Sequence, residues 1–315
     1  MQNLSDIQEL EIQFANYSLD LIAKQVVEGF ITGLHRSPYH GFSVEFAEHQ
    51  HYNEGESTKH IDWKLYARTD KLFVKRYEEE TNLRSYIVID TSSSMLFPID
   101  RHKIFTKLAF SAFSASALIY LLRKQRDSVG LCLFSDKIEL QTQSKLSLTH
   151  SQVLFSEIEK LISENHIGSG KTPPRKRTST ATVLHQIAEN IHQRSFIIIF
   201  SDMLDNENAD EIFSALQHLK YNKHEVILFH VYDKRFEEKF EFKNRPYRFI
   251  DLETGDAVKL NPNDVRNDYK HSVNTFFEEL KLKCGQYKID LVVADINGNF
   301  KDILLAYLIK RNKLY

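Results

Sequence analysis

From Tyr86 onward, short apolar runs that read as strands alternate with longer stretches whose apolar residues recur every three or four positions. That alternation leaves few folds open, because strands joined through helices run parallel and a parallel sheet must be covered on both faces. Strands are expected at Tyr86–Asp90, Val129–Phe134, Phe196–Ser201, Val226–Tyr232 and Tyr287–Ala294. Lys137–Gln141 follows Ser135-Asp136 and reads as the return strand of a hairpin, adding an antiparallel edge. Helices are expected from about His102 to Lys124 with Asp100 as cap, and from Thr149 through a Thr149-x-x-Gln152 capping box. Further helices are expected over Ser179–His192, Asn208–Leu219 and Asp302–Lys310, and a long one from Asn261-Pro262, where Asn caps and Pro suits the first helical position. A second hairpin joins Arg248–Leu252 to Ala257–Leu260. The sum is an α/β chain with a doubly wound, mostly parallel sheet.

Residues 1–84 read differently, as a helix over Asn16–Leu34 and two strands, Gly41–Glu48 and Leu72–Glu79, around a polar, histidine-bearing loop. They are expected to form a small β-rich extension to a main domain at 85–315. Forty-one basic against 43 acidic side chains give a formal charge of -2, so no global field draws the chain to nucleic acid or to an anionic membrane. The two cysteines, Cys132 and Cys284, fit reduced core thiols in a cytoplasmic protein better than a disulfide framework. The stretch MQNLSDIQELEIQ lacks the pattern of a signal peptide. Leu108–Leu122 is the most membrane-like run, but it falls short of the ~20 residues of a span and contains Ser111, Ser114 and Ser116. Bounded by Lys107 and Arg123, it reads as a buried helix of a soluble protein.

The chemistry is concentrated where the first main strand ends. Asp90-Thr91-Ser92-Ser93-Ser94-Met95 brings one carboxylate and two alternate hydroxyls to that end. In an open α/β sheet the carboxyl ends of strands border the ligand crevice. Compact oxygen donors carrying little charge suit a hard cation such as Mg²⁺, which keeps several waters and so leaves positions open. Short Asp-Ser-Ser turns also cap helices through the same oxygens. Thr178, opening a helix, and Asp202, closing the Phe196–Ser201 strand, are expected to reach the same rim.

The combination Asp90-x-Ser92-x-Ser94 with a later Thr and a strand-end Asp resembles the von Willebrand factor A domain, over roughly Arg84–Tyr315. The resemblance implies a metal-ion-dependent adhesion site of Asp90, Ser92, Ser94, Thr178 and Asp202 around Mg²⁺ (or Mn²⁺), with Thr180 and Thr182 as alternatives to Thr178. Arg177 stands where that family usually has glycine. The segment His35–Asn82, and above all IDWKLYAR at Ile61–Arg68, resembles the bacterial "domain of unknown function fifty-eight" family, in which it precedes a von Willebrand A-like domain. That second resemblance implies a MoxR-type AAA+ ATPase as partner.

Candidate partner-facing residues are Trp63, the only tryptophan, with Arg68, and Lys171 and Arg175 in the basic Ser163–Arg177 loop. Trp63 reads more readily as a core anchor, and the loop equally well as a solvated surface. Gly170-Lys171-Thr172 imitates a phosphate-binding loop, but Asn165 stands at the required first glycine and Pro173-Pro174 follow where a helix should begin. His49, His51 and His60 lack companion metal spacing. The expected function is a non-enzymatic, metal-dependent interaction protein. The alternatives are a Mg²⁺-dependent hydrolase of phosphorylated substrates and a structural protein whose metal site is empty.

Overall fold

The computed structural model describes residues 18–35, 49–51, 63–71, 73–75, 84–98, 105–165, 176, 179–204 and 209–312. The chain divides into two compact units, one of Met1–Phe30 with Leu83–Tyr315 and one of Ile31–Asn82. The first helix, α1 (Leu19–His35), crosses that boundary. Leu19, Ile22 and Ala23 of α1 belong to the larger unit and are buried.

Within the smaller unit, β1 (His49–His51) pairs antiparallel with β2 (Phe73–Lys75), and α2 (Trp63–Thr69) lies between them in sequence. The loop histidines His49 and His51 therefore belong to a strand, whereas the expected strand at Gly41–Glu48 lies outside the described residues. Arg68 is exposed on α2.

The larger unit contains β3 (Arg84–Asp90), α3 (Lys107–Lys124), β4 (Ser128–Phe134), β5 (Ile138–Gln141), α4 (Leu148–Glu164), α5 (Thr180–Asn190) and β6 (Phe196–Ser201). It continues with α6 (Ala209–Tyr221), β7 (Glu225–Tyr232), β8 (Tyr247–Ile250), β9 (Ala257–Leu260), α7 (Pro262–Gln286), β10 (Asp290–Asp295) and α8 (Phe300–Asn312). Six strands form one sheet in the order β10-β7-β6-β3-β4-β5. All neighbours are parallel except β4 and β5, so the return strand forms the expected antiparallel edge. β8 and β9 make a separate hairpin.

From β3 the chain winds outward to β4 and β5, then returns to the other side of β3 for β6, β7 and β10. The order reverses between β3 and β6, the switch point at which doubly wound sheets open a crevice. Alternate residues of each central strand face opposite layers. Tyr86, Val88, Ile197, Ile199, Val226 and Leu228 pack with the apolar sides of α5, α6 and α7. On the other layer α3 lies against β3 and β4 and is covered by α4 and α8. This enclosure explains why α3 is apolar nearly all round: Lys107 through Leu122 are all buried. No helix among the described residues is long and apolar enough to cross a membrane.

Two helix starts differ from expectation, each capped by a hydroxyl one residue before the helix. Thr106, whose side chain accepts from the Ala109 N–H at 3.1 Å, caps α3, and Asp100 lies outside the described residues. Ser147, accepting from the His150 N–H, caps α4 two residues before the expected Thr149. Asn261 caps α7 as expected, with Pro262 in its first turn. Gly130 faces Tyr86 across β3 and β4, and a Cβ there would stand 2.7 Å from the tyrosine ring. Both cysteines are free and buried, and burial pushes each thiol up to about 12.

Candidate metal centre

β3 and β6 run side by side with Ile89 opposite Phe200, so Asp90 and Ser201 emerge together at the switch point and Asp202 follows. The Ser201 hydroxyl donates to Asp90 Oδ2 at 2.8 Å and accepts from the Met203 N–H at 2.9 Å. Met203, fully buried, turns the chain sharply with a φ of 51°, a left-handed conformation uncommon for a side chain of this kind. The other Asp90 oxygen accepts from the Ser92 N–H at 2.9 Å, which folds the Asp-Thr-Ser turn back on its own carboxylate. Ser93–Leu96 then form a single tight helical turn.

The hydroxyls of Ser92 and Ser94 are hydrogen-bonded to each other at 3.0 Å. Ser93, between them, holds a different element: its backbone N–H donates to the Lys176 carbonyl at 3.1 Å, and its hydroxyl accepts from the Lys176 N–H at 2.8 Å. Ser179, three residues later, donates its N–H to the Ser135 carbonyl. Of the sequence-predicted ligands, Asp90, Ser92, Ser94 and Asp202 belong to this rim. Thr178 lies outside the described residues, as do Lys171 and Arg175. Of the alternatives, Thr180 is buried in the first turn of α5 and Thr182 is exposed.

Electrostatically the rim is crowded with acid. Burial and the neighbouring Asp202 charge push the Asp90 carboxyl up to about 7, against the hydrogen bonds from Ser92 and Ser201 that favour its ionised form. Asp202 is buried with its Oδ1 accepting from the Leu204 N–H and its Oδ2 from Lys107 Nζ at 2.7 Å. The same ammonium donates to Glu237 Oε1 at 2.6 Å, from a position only 1 % exposed. Burial works to lower the Lys107 pKa, but Asp202 and Glu237 outweigh it and hold the ammonium above the ordinary lysine range. Glu237, in the turn after β7, is raised by burial despite the ammonium. His230, opposite Ser201 on β7, is lowered to about 4 by burial and is neutral.

Lys107, Ser93, Ser201 and Glu237 were not candidates from sequence. Lys107 marked only the end of an apolar run, and its partners lie 95 and 130 residues away. Beside the rim is a cavity of about 350 Å³ lined by Ser94, Phe97, Lys107, Leu204, Glu237 and the stretch 251–253.

These residues can be tested against a divalent cation. Adjacent ligands of an octahedral ion at about 2.1 Å stand about 3 Å apart, the separation of the Ser92 and Ser94 hydroxyls. Each carboxylate oxygen that accepts one hydrogen bond keeps a second lone pair. A dication would also offset the burial and the Asp202 charge that together hold Asp90 near 7. No three His, Cys, Asp or Glu side chains among the described residues form a metal cluster, so hydroxyls would have to complete the donor set. The donors suit a hard cation, with one of the two rim carboxylates already bound to an ammonium.

Fold and rim together define a doubly wound α/β domain with a carboxylate and hydroxyl site at its switch point. The chain belongs to the family described as "Protein of unknown function DUF58", whose profile matches residues 48–276. It is similar to "Uncharacterized protein Rv1480" of Mycobacterium tuberculosis strain H37Rv, at 22% identity over 230 residues, covering 73% of this chain and 68% of the relative. "Uncharacterized protein Mb1516" of Mycobacterium bovis matches with the same figures. Two solved structures are weaker likenesses. The conserved hypothetical protein BatB from Bacteroides thetaiotaomicron has a TM-score of 0.40 at 13% identity, covering 74% of this chain and 100% of that one. The SpRpn10 VWA domain has a TM-score of 0.38 at 15% identity, with coverages of 70% and 92%. The architecture rests on the chain's own strand order.

Proposed function

We propose that this protein is a non-enzymatic interaction module whose rim holds Mg²⁺ or Mn²⁺ and docks a partner through an acidic side chain. The observation that carries this reading is the convergence at the switch point of two hydroxyls 3.0 Å apart with the buried Asp90 carboxylate, bonded by Ser201 and pressed by the neighbouring charge of Asp202. Ser92 and Ser94 are the direct oxygen donors, Asp90 and Asp202 supply the charge, and Thr178 is the further ligand that the family resemblance implies. When bound, the ion supplies a charge centre with positions left for a partner carboxylate. The Ser93 contacts to Lys176 tie the loop bearing Ser92 and Ser94 to the segment that leads to Thr178. A MoxR-type AAA+ ATPase in the cytoplasm is the partner the resemblance favours.

The test is a binding assay with such an ATPase immobilised, run in Mg²⁺ and in EDTA with wild type and Asp90→Ala. Retention in Mg²⁺ alone, lost in the variant, supports the reading; equal retention in all conditions removes it. Metal-dependent hydrolysis of a phosphoester that disappears in Asp90→Ala would put a hydrolase in its place.

A further inference from the structure

An ammonium buried to 1 % exposure between two carboxylates, one of them an expected metal ligand, has no role in the docking reading above. Such an arrangement is costly to desolvate and is retained only where each charge is met. Lys107 meets Asp202 and Glu237 from the first turn of α3, while Asp202 follows β6 and Glu237 follows β7. Three elements therefore converge on one nitrogen atom at the edge of the cavity. Phe97, whose ring centroid lies 5.9 Å from Nζ, closes one side. A lysine with only a packing role would send its head to solvent along its stem. Here the head points into the site and binds the carboxylate that the cation needs.

We propose that Lys107 is an internal substitute for the cation: its ammonium and a divalent ion compete for Asp202, so that Asp202 is paired without metal and metal uptake requires release of the lysine. This deepens the cation reading and rests on it. Competition of this kind lowers the apparent metal affinity by the fraction of molecules in which the lysine holds Asp202. The same contact stabilises the metal-free protein, because without it the buried Asp202 and the half-buried Glu237 would lose their shared ammonium.

The experiment is Mn²⁺ titration, by calorimetry and by the loss of the free-ion resonance signal, of wild type, Lys107→Met, Lys107→Met/Glu237→Gln and Asp90→Ala, with thermal melting of each at zero and saturating Mn²⁺. The double variant removes one acid together with the ammonium and preserves the test if the single variant does not fold. Lys107→Met, or the double variant in its place, is expected to bind Mn²⁺ about tenfold more tightly than wild type. Its melting temperature should rise more on adding Mn²⁺ than that of wild type. Unchanged or weaker affinity in the lysine variants, with binding abolished in Asp90→Ala, overturns the substitution and leaves the cation reading standing. Absence of saturable binding in wild type and in both lysine variants overturns both.

Discussion

Asp90→Asn should remove a specific pH dependence of stability. The Asp90 carboxyl is raised from 3.8 to about 7 in the folded chain, first by burial and then by the charge of Asp202. A folded pKa above the unfolded one means that protonation favours the folded state. That contribution is fully present below pH 3.8 and is lost as pH rises through about 7. The whole shift corresponds to about 4 kcal/mol, of which about 2 to 3 kcal/mol is lost between pH 5 and pH 8. The asparagine keeps an oxygen for the Ser92 N–H and can donate to the Ser201 hydroxyl where the carboxylate accepted from it, so both contacts remain, one with its direction reversed, without the titration. Urea denaturation of both proteins in EDTA at half-unit steps from pH 5 to pH 8 measures the effect. Wild type should lose about 2 to 3 kcal/mol more than the variant over that range. In Mg²⁺ the wild-type slope should flatten or reverse, because a dication favours the carboxylate. Parallel curves for the two proteins in EDTA would refute the assignment of Asp90 as a buried, charge-crowded acid.

Lys107→Met in EDTA should cost about 3 to 5 kcal/mol in denaturant unfolding, since Asp202 and Glu237 lose their shared ammonium. Gly130→Ala should cost about 1 to 3 kcal/mol by driving a methyl group into the Tyr86 ring, and Tyr86→Ala in the same chain should erase most of that extra cost in a double-mutant cycle. Among the threonines, Thr178→Ala should weaken Mn²⁺ binding, whereas Thr182→Ala, an exposed change, should leave it as in wild type.

The sheet was legible because its signals are local and periodic. Tyr86–Ile89 and Phe196–Phe200 are apolar at every position, as strands covered on both faces must be, and the helices between them repeat every three or four residues. Helix starts were legible to within a few residues. Thr106 caps α3, and Ser147 caps α4 in place of Thr149, through contacts of one turn that composition alone does not rank. Asp90 and Asp202 could be read as rim residues because both end apolar strands. Lys107 could not, since a lysine opening an apolar helix ordinarily reaches water, and only the winding of the sheet brings the β6 end and the turn after β7 to its head. The pairing of His49–His51 with Phe73–Lys75 was hidden for a related reason, as neither three-residue strand carries an alternating apolar pattern.

The measurement that bears most directly on the central claim is Mn²⁺ titration of the full chain, wild type against Asp90→Ala. One saturable site in wild type that vanishes in the variant, with both proteins giving the same circular dichroism spectrum, is the predicted result. Wild type that takes up no Mn²⁺ into the millimolar range, or a variant that binds it equally well, would contradict a cation held at the junction of β3 and β6.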